Sequence, residues 1–529
     1  MTRDRIQLLE AERRRLEISP HGALRIGIGY PNTYHVGMSS LAYQWVGEIA
    51  SKQPDVAVER FFADASPAGT TLESCTPIGD LDLLAWSCSF ELDAVPLLHT
   101  LDAAGISRRR ECRSHRDPLL VMGGAVSSIN PLPMASTIDV FVLGSAERLW
   151  PTLIDLAARL FDRDRLLDEL AGQDGFFVPR AHLDEHGRPN RRLRRVEKRD
   201  SHMADRELIP SSWVVTPNTE YAGRGLVEMS RGCPEKCRYC WVSYNYGRLR
   251  CYPTDGILQR VRDLSQITNR VGFVATAVGD HPDLPTILDE SLALGMNVAL
   301  SSLRIPAMVA DVLRPLAASG ARSVTIAPET GSDRLRRELN KPITNGRILD
   351  AVETAQLCGI HSLKMYFIVG LPGETDDDLL AIADLVESAL HIVRSGGRTR
   401  GSMGTVHAGF NLLIPKPYTP YSKTAMLDRT EARRRLELIF HRLAGLPNLK
   451  IDRPSYRESI WQGLLSRGDV TTFRAVERVA DGDGLSRVLR DEKRLVDEAA
   501  LSAAEGEPVW QFISSAPRPR PSPSLDPTS

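Results

Sequence analysis

Ser230-Arg-Gly-Cys-Pro-Glu-Lys-Cys-Arg-Tyr-Cys-Trp241 is the stretch from which the rest of this 529-residue chain is read. It sets Cys233, Cys237 and Cys240 in a CxxxCxxC spacing, directly after a strand-like run, Gly225-Leu-Val-Glu-Met-Ser230. Thiolates are soft ligands suited to iron–sulfur iron. Three of them on one tight loop can hold three corners of a cubane [4Fe–4S] cluster and leave the fourth iron open to a ligand. A structural zinc loop and three unrelated buried thiols are the competing readings. Zinc wants a fourth ligand and usually takes CxxC pairs. Cys251, eleven residues beyond Cys240, is a further candidate ligand.

Composition narrows the class. Net charge is −1 and the pI is about 6.9, so no overall electrostatic case exists for a polyanion, and a nucleic-acid partner is not expected. No apolar run approaches the ~18 to 20 residues that a membrane span requires. The start, Met1-Thr-Arg-Asp-Arg-Ile-Gln-Leu-Leu-Glu10, is too charged for a signal peptide, and a cytoplasmic protein is expected. Eight cysteines in so long a chain, three of them in one loop, are not a disulfide framework. Cys75, Cys88, Cys112, Cys251 and Cys358 read as small buried hydrophobes.

In chain order, residues 1–23 read as a charged helical arm with little sign of a buried face. From 24 to 161, short apolar runs alternate with helices. The runs are Leu24-Arg-Ile-Gly-Ile-Gly-Tyr30, Val56-Ala-Val-Glu-Arg-Phe-Phe62, Leu81-Asp-Leu-Leu-Ala-Trp-Ser87, Leu119-Leu-Val-Met122 and Asp139-Val-Phe-Val-Leu143. This pattern predicts an α/β doubly wound parallel sheet. Such sheets bind ligands at the carboxyl ends of their strands. Those ends carry small and polar residues: the loop 31–37 with Tyr34 and His35, Ser87 and Ser89, Gly123 and Gly124, and Gly144 with Glu147. Residues 162–224 read as a connector, and its basic run 191–195 as a solvated face. From 225 to 428, six strand-like segments at 226–229, 271–276, 297–300, 323–327, 362–369 and 409–414 each precede a helical one. Residues 429–515 read as helical, and the Pro-rich 516–529 cannot build a core.

The cysteine loop after a barrel-type strand resembles the radical SAM superfamily. The doubly wound domain ahead of it resembles the cobalamin-binding domain of cobalamin-dependent members. Tyr30-Pro-Asn-Thr-Tyr-His-Val-Gly-Met-Ser39, the pair Gly123-Gly124 with Asn130-Pro131, and Val142-Leu-Gly144 with Glu147 resemble strand ends of one subgroup. Pro415-Lys-Pro-Tyr-Thr-Pro420 and the segment 455–469 resemble the same subgroup, and the amphipathic segment is expected to pack on the barrel. The implied architecture is a flavodoxin-like domain of cobalamin-binding type, a partial (β/α)6 radical SAM barrel and a small helical C-terminal region.

The resemblance implies three cofactors. A [4Fe–4S] cluster sits on Cys233, Cys237 and Cys240. S-adenosylmethionine chelates the open iron and meets Tyr239, Gly279, Asp280, Ser302, Arg304, Glu329 and Gly370. Asp280 takes the methionyl ammonium, Arg304 the carboxylate and Glu329 the ribose. Cobalamin lies against Tyr34, His35, Ser87, Ser89, Gly123, Gly124, Gly144 and Glu147. One departure matters: the DxHxxG signature that supplies a lower axial histidine is absent, so His35 is not expected to ligate cobalt firmly. The implied activity is methyl transfer to a poorly activated centre of a small molecule or peptide, with an electron donor such as flavodoxin or ferredoxin. The rivals are a radical SAM enzyme that works without cobalamin and a non-catalytic iron–sulfur or RNA-binding protein. No residue is singled out as catalytic.

Overall fold

The computed structural model describes residues 5–160, 162–188, 196–197, 208–504 and 508–514. The basic run 191–195 and the tail 516–529 lie outside them. In the first domain, β1 (Leu24–Tyr30) pairs in parallel with β2 (Val56–Phe62) on one side and β3 (Leu83–Ser87) on the other. Then β4 (Leu119–Gly123) and β5 (Val140–Val142) continue the parallel sheet, and β6 (Phe176–Phe177) closes it antiparallel. The order 2-1-3-4-5-6 puts the topological switch point beside β1, as in flavodoxin-like sheets. The short strand β6 takes the sheet into the stretch read as a connector.

Both faces of the sheet are apolar, so both must be covered. Ile26, Ile28, Val58, Leu83, Ala85, Val121 and Val142 face α1 (Leu41–Ser51). Phe61, Leu84, Trp86, Leu120, Met122 and Phe141 face the other way, onto α2 (Ala94–Ala103). Helix α3 (Ala146–Arg159) joins α1 on the first face through Trp150, Leu153 and Ile154. Gly29 has no room for a side chain, since a Cβ there would stand 2.3 Å from the Phe61 ring.

The arm departs from expectation. Its helix ends at Glu10, and the Glu12 side chain is fully buried, where both its oxygens take hydrogen bonds from Arg60 at 2.8 Å. Arg60 also donates to Glu73 at 2.7 Å. A guanidinium in the sheet demands carboxylates, because a lone buried charge costs several kcal/mol. The arm supplies one of the two and is thereby part of the domain.

The second domain starts at β7 (Gly225–Arg231). Strand β8 (Arg250–Cys251) folds back on it antiparallel, while β9 (Arg270–Ala275) and β10 (Asn297–Leu300) extend it in parallel. A second sheet runs β11 (Ser323–Glu329), β12 (Ser362–Val369), β13 (Val406–Leu412) and β14 (Leu449–Asp452), all parallel. Leu303 N–H donates to Thr325 O at 3.1 Å across the seam between the sheets, giving an open barrel with helices outside. Strand β14 lies in a stretch read as helical; its alternating half-exposed residues give a weak apolar signal.

Helix α4 (Tyr456–Arg467) was expected to pack on the barrel. Instead Ile460, Trp461, Leu464 and Leu465 join the second core of the first domain, with Phe473, Val476 and Val488 from the following helices. Glu91, after β3, is buried beneath α4. It accepts from Gln462 Nε2 at 3.0 Å and from Ser466 Oγ at 2.7 Å, and it pairs with Lys416 of the barrel. The C-terminal region therefore covers the first domain and ties it to the barrel. No helix among the described residues is long and apolar enough to cross a membrane.

Candidate active site between the two domains

The cysteine loop leaves β7 at Arg231 and enters a short helix, Trp241–Asn245, whose N-cap is Cys240. Arg238 N–H donates to Leu339 O at 2.9 Å and Asn340 Nδ2 to Lys236 O at 3.0 Å, which pins the loop to the chain after β11. Burial pushes the Cys237 thiol up to about 11, with Lys341 acting in the opposite sense, and burial also raises Cys240. Iron binding by these groups releases protons. Among the described residues no three His, Cys, Asp or Glu side chains converge on a single-ion site. A cubane sets each thiolate on a different iron, so a spread of three sulfurs on one loop fits it.

Glu329 closes β11 with φ +68, in the left-handed region, where β11 and β12 slip out of register. A non-glycine residue there costs on the order of 1–3 kcal/mol and persists only where neighbours fix it. Here two do: Tyr239 Oη and Lys341 Nζ each donate to Glu329 Oε1 at 2.7 Å. Lys341 Nζ also donates to Ala327 O at 2.7 Å. The cysteine loop and the end of β11 thus meet through a tyrosine–carboxylate–lysine cluster. Sequence reading had Tyr239 and Glu329 but missed Lys341.

Arg304 donates to Asp280 Oδ1 at 2.5 Å and to Glu235 Oε1, on the cysteine loop, at 2.6 Å. Asp280 Oδ2 is buried without a hydrogen-bond partner. An orphaned carboxylate oxygen is costly, and a ligand ammonium would relieve it. Arg304→Ala and Asp280→Ala each remove a charge-assisted hydrogen bond, so S-adenosylmethionine should bind about one to two orders of magnitude more weakly. Equilibrium dialysis on reconstituted protein reads this, and unchanged affinity in both variants would mean the pocket lies elsewhere. Gly279 packs on Ala307, whose Cβ would stand 2.2 Å from an added Cβ. Ser302 is exposed, and its neighbour Ser301 faces inward instead. Gly370 has φ +95, and its N–H donates to Glu374 Oε2 at 2.8 Å. Burial pushes the Glu374 carboxyl up to about 7, against the Gly370 N–H and Arg435.

A cavity of about 460 Å³ joins the domains. From the first come Ser87, Gly123, Gly124, Gly144 and Glu147 at the strand ends, with Ala85, Val121, Val142, Trp45 and Trp150 deeper. From the barrel come Glu228, Ser230, Arg231, Thr276 and Ser301, together with Arg250 of β8. Gly124 has φ +103 and a Cβ there would stand 2.4 Å from Cys88 O, so glycine is required at that rim. Tyr34, His35 and Ser89 do not line this cavity. Tyr34 is buried against Phe62 and donates to Glu12 Oε1 at 2.7 Å. His35 is half-exposed, 3.6 Å from Glu220. Ser89 is exposed.

The wall between the domains is an ion cluster. Arg231 Nη2 donates to Glu147 Oε1 at 2.6 Å and to Glu228 Oε2 at 2.8 Å. Trp45 Nε1 donates to Glu147 Oε1 at 2.9 Å. Burial alone would raise Glu147, but the Arg231 guanidinium outweighs it and holds the carboxyl below its usual range. Glu147 was read as a cobalamin contact; its first partner is the arginine two residues before Cys233.

The family model of the radical SAM superfamily matches residues 227–386, and that of the N-terminal region of radical SAM proteins matches 42–179. The chain belongs to the radical SAM superfamily. Membership implies a [4Fe–4S] cluster, S-adenosylmethionine and an electron donor. Protein MJ0966 of Methanocaldococcus jannaschii is 25% identical over 496 residues, covering 92% of this chain and 98% of its own. The ribosomal protein uS12 methylthiotransferase RimO of Alkalilimnicola ehrlichii is 30% identical over 203 residues, 34% of this chain and 45% of its own. This radical SAM chain thus matches under half of that enzyme. The radical S-adenosylmethionine methyltransferase TsrM from Kitasatospora setae, solved with cobalamin and a [4Fe–4S] cluster, superposes with a TM-score of 0.55 at 13% identity. The match covers 90% of this chain and 100% of TsrM, and shows a shared fold.

Proposed function

We propose that this radical SAM protein is a cobalamin-dependent methyltransferase whose cluster is held by Cys233, Cys237 and Cys240. The observation that carries the reading is the single cavity that connects glycine-rich strand ends of a flavodoxin-like sheet with the barrel beside the cysteine loop. The whole-length fold match to a cobalamin-bound methyltransferase supports it. When bound, the cluster supplies the electron that cleaves S-adenosylmethionine, and cobalamin supplies the methyl carrier.

The chain's own residues bind, orient and exclude water. Asp280 and Arg304 hold the methionyl end of S-adenosylmethionine, and Glu329 its ribose, fixed in turn by Tyr239 and Lys341. Gly123, Gly124 and Gly144 leave room for the cobalamin nucleotide at the sheet rim. The Glu147–Arg231–Glu228 cluster fixes one domain against the other along the wall of the cavity. Anaerobically reconstituted protein should retain about one cobalamin per chain, measured after gel filtration; none retained would leave the cobalamin-free reading. The 30% identity to a methylthiotransferase is what favours that second reading.

His35 lies outside the cavity, so the protein should leave cobalt without a histidine beneath it. His35→Ala should keep cobalamin bound with its visible spectrum unchanged. Electron paramagnetic resonance of the cob(II)alamin form gives the direct check. Nitrogen superhyperfine splitting that vanishes in His35→Ala would prove axial ligation and overturn this part of the proposal.

A further inference from the structure

We infer that Arg250 forms an anion subsite in the interdomain cavity, and that the anion is the phosphodiester of the cobalamin nucleotide arm. This rests on the cobalamin reading and adds to it a residue on the barrel side. In the hairpin β7–β8, Arg231 and Arg250 stand directly opposite as register partners, and both side chains line the cavity. Like charges facing each other across an antiparallel pair repel. Arg231 is neutralised twice over, by Glu147 and Glu228. The Arg250 side chain has no ion pair or hydrogen bond among the described residues, and its Nε is buried without an acceptor. A half-buried guanidinium left uncompensated beside a second cation needs an anion, and its planar fork suits two phosphate or carboxylate oxygens.

A second orphan lines the same cavity. Ser230, the neighbour of Arg231 on β7, is 1% exposed and has an Oγ with no partner. A hydroxyl and a guanidinium lining one cavity, neither with an acceptor, together offer donors to a charged oxygen. The same cavity continues into an apolar slot between the sheet and its helices, walled by Ala85, Val121, Val142, Trp45 and Trp150. A ligand with an anionic link next to a flat apolar base matches both halves. The cobalamin nucleotide arm is such a ligand, with one negative charge on its phosphodiester and a benzimidazole beyond it. A substrate carboxylate would use the cation but leave the slot unfilled.

The experiment compares three corrinoids on the full-length reconstituted chain: hydroxocobalamin, cobinamide phosphate and cobinamide, which lacks the phosphate. Affinity is read by equilibrium dialysis, and cluster content serves as the fold control. Arg250→Gln should weaken hydroxocobalamin and cobinamide phosphate by about tenfold to a hundredfold and leave cobinamide unchanged. Arg250→Lys should restore part of the loss. Equal loss for all three corrinoids would overturn the inference, because Arg250 would then meet the corrin or shape the cavity. No loss for any would also overturn it and assign the cation to the substrate. Failure of the wild-type chain to bind any of the three would instead overturn the cobalamin reading and take the subsite with it.

Discussion

Replacing Cys233, Cys237 and Cys240 together with alanine is expected to abolish the oxygen-sensitive cluster and all cleavage of S-adenosylmethionine. The three thiols share one short loop, and the loop is held by main-chain bonds that do not involve sulfur. Arg238 N–H reaches Leu339 O, and Cys233 N–H reaches Gly247 O at 3.2 Å. The variant should therefore stay folded and soluble while losing its iron. Each single replacement should act almost as strongly, because a cubane with two protein thiolates has two exposed irons. Iron and sulfide analysis after anaerobic reconstitution reads the effect. Wild-type iron and sulfide in the triple variant would remove these cysteines from the cluster.

The second large effect is expected at Arg231. Its replacement by methionine keeps much of the volume but strands two carboxylates. Glu147 has a side chain only 1% exposed, and the only cation the described residues set against it is Arg231. Breaking one partner out of a buried pair costs about 3–5 kcal/mol, because the other charge stays behind unpaired. Part of that cost falls on the packing of one domain against the other, so cobalamin retention should fall together with the denaturant midpoint. Glu147→Gln with Arg231→Met should recover part of the stability, as removing both charges removes the stranded one. The pH dependence has a definite sign. Arg231 holds Glu147 below its usual range in the folded state, so its contribution is complete above the ordinary carboxylate range and is lost as pH falls through the lowered value. Arg231→Met should flatten that acid limb. An unchanged midpoint and unchanged acid sensitivity would show that the ion cluster contributes little.

Much of the sheet was legible because parallel strands buried on both faces must be apolar throughout. The run 24–30 and the run 56–62 coincide with β1 and β2. Strand β13 begins three residues ahead of its expected start, where His407 interrupts the apolar run. The helix α4 shows a different limit. Read as amphipathic, it is buried on nearly every side from Ser459 onward, and an apolar face in the sequence does not say which domain it joins. The N-terminal arm failed for a third reason: Glu12 looks like surface charge until the buried Arg60 that demands it is placed.

At the site, local motifs pointed to positions and not to partners. Tyr239 and Glu329 are ninety residues apart, yet share one hydrogen bond. Lys341 carries no local motif, and its role appears only when the strand ends converge. Tyr34 and His35 were drawn to the cofactor by their loop, but the loop coils into a short helix, Tyr34–Met38, with Thr33 as N-cap. That turn sends Tyr34 into the core and His35 to the surface. Strand β10 ends at Leu300 as expected, and it is Ser301, the first residue beyond it, that lines the cavity, while Ser302 is turned to the surface.

The most direct test of the account is anaerobic incubation of the reconstituted, cobalamin-loaded chain with reductant and S-adenosylmethionine carrying a trideuterated methyl group. Mass spectrometry then reads two products. The account predicts both 5′-deoxyadenosine and trideuteromethyl-cobalamin, with both lost in the Cys233, Cys237 and Cys240 variants. A chain that carries a full cluster and cobalamin yet forms neither product would contradict it.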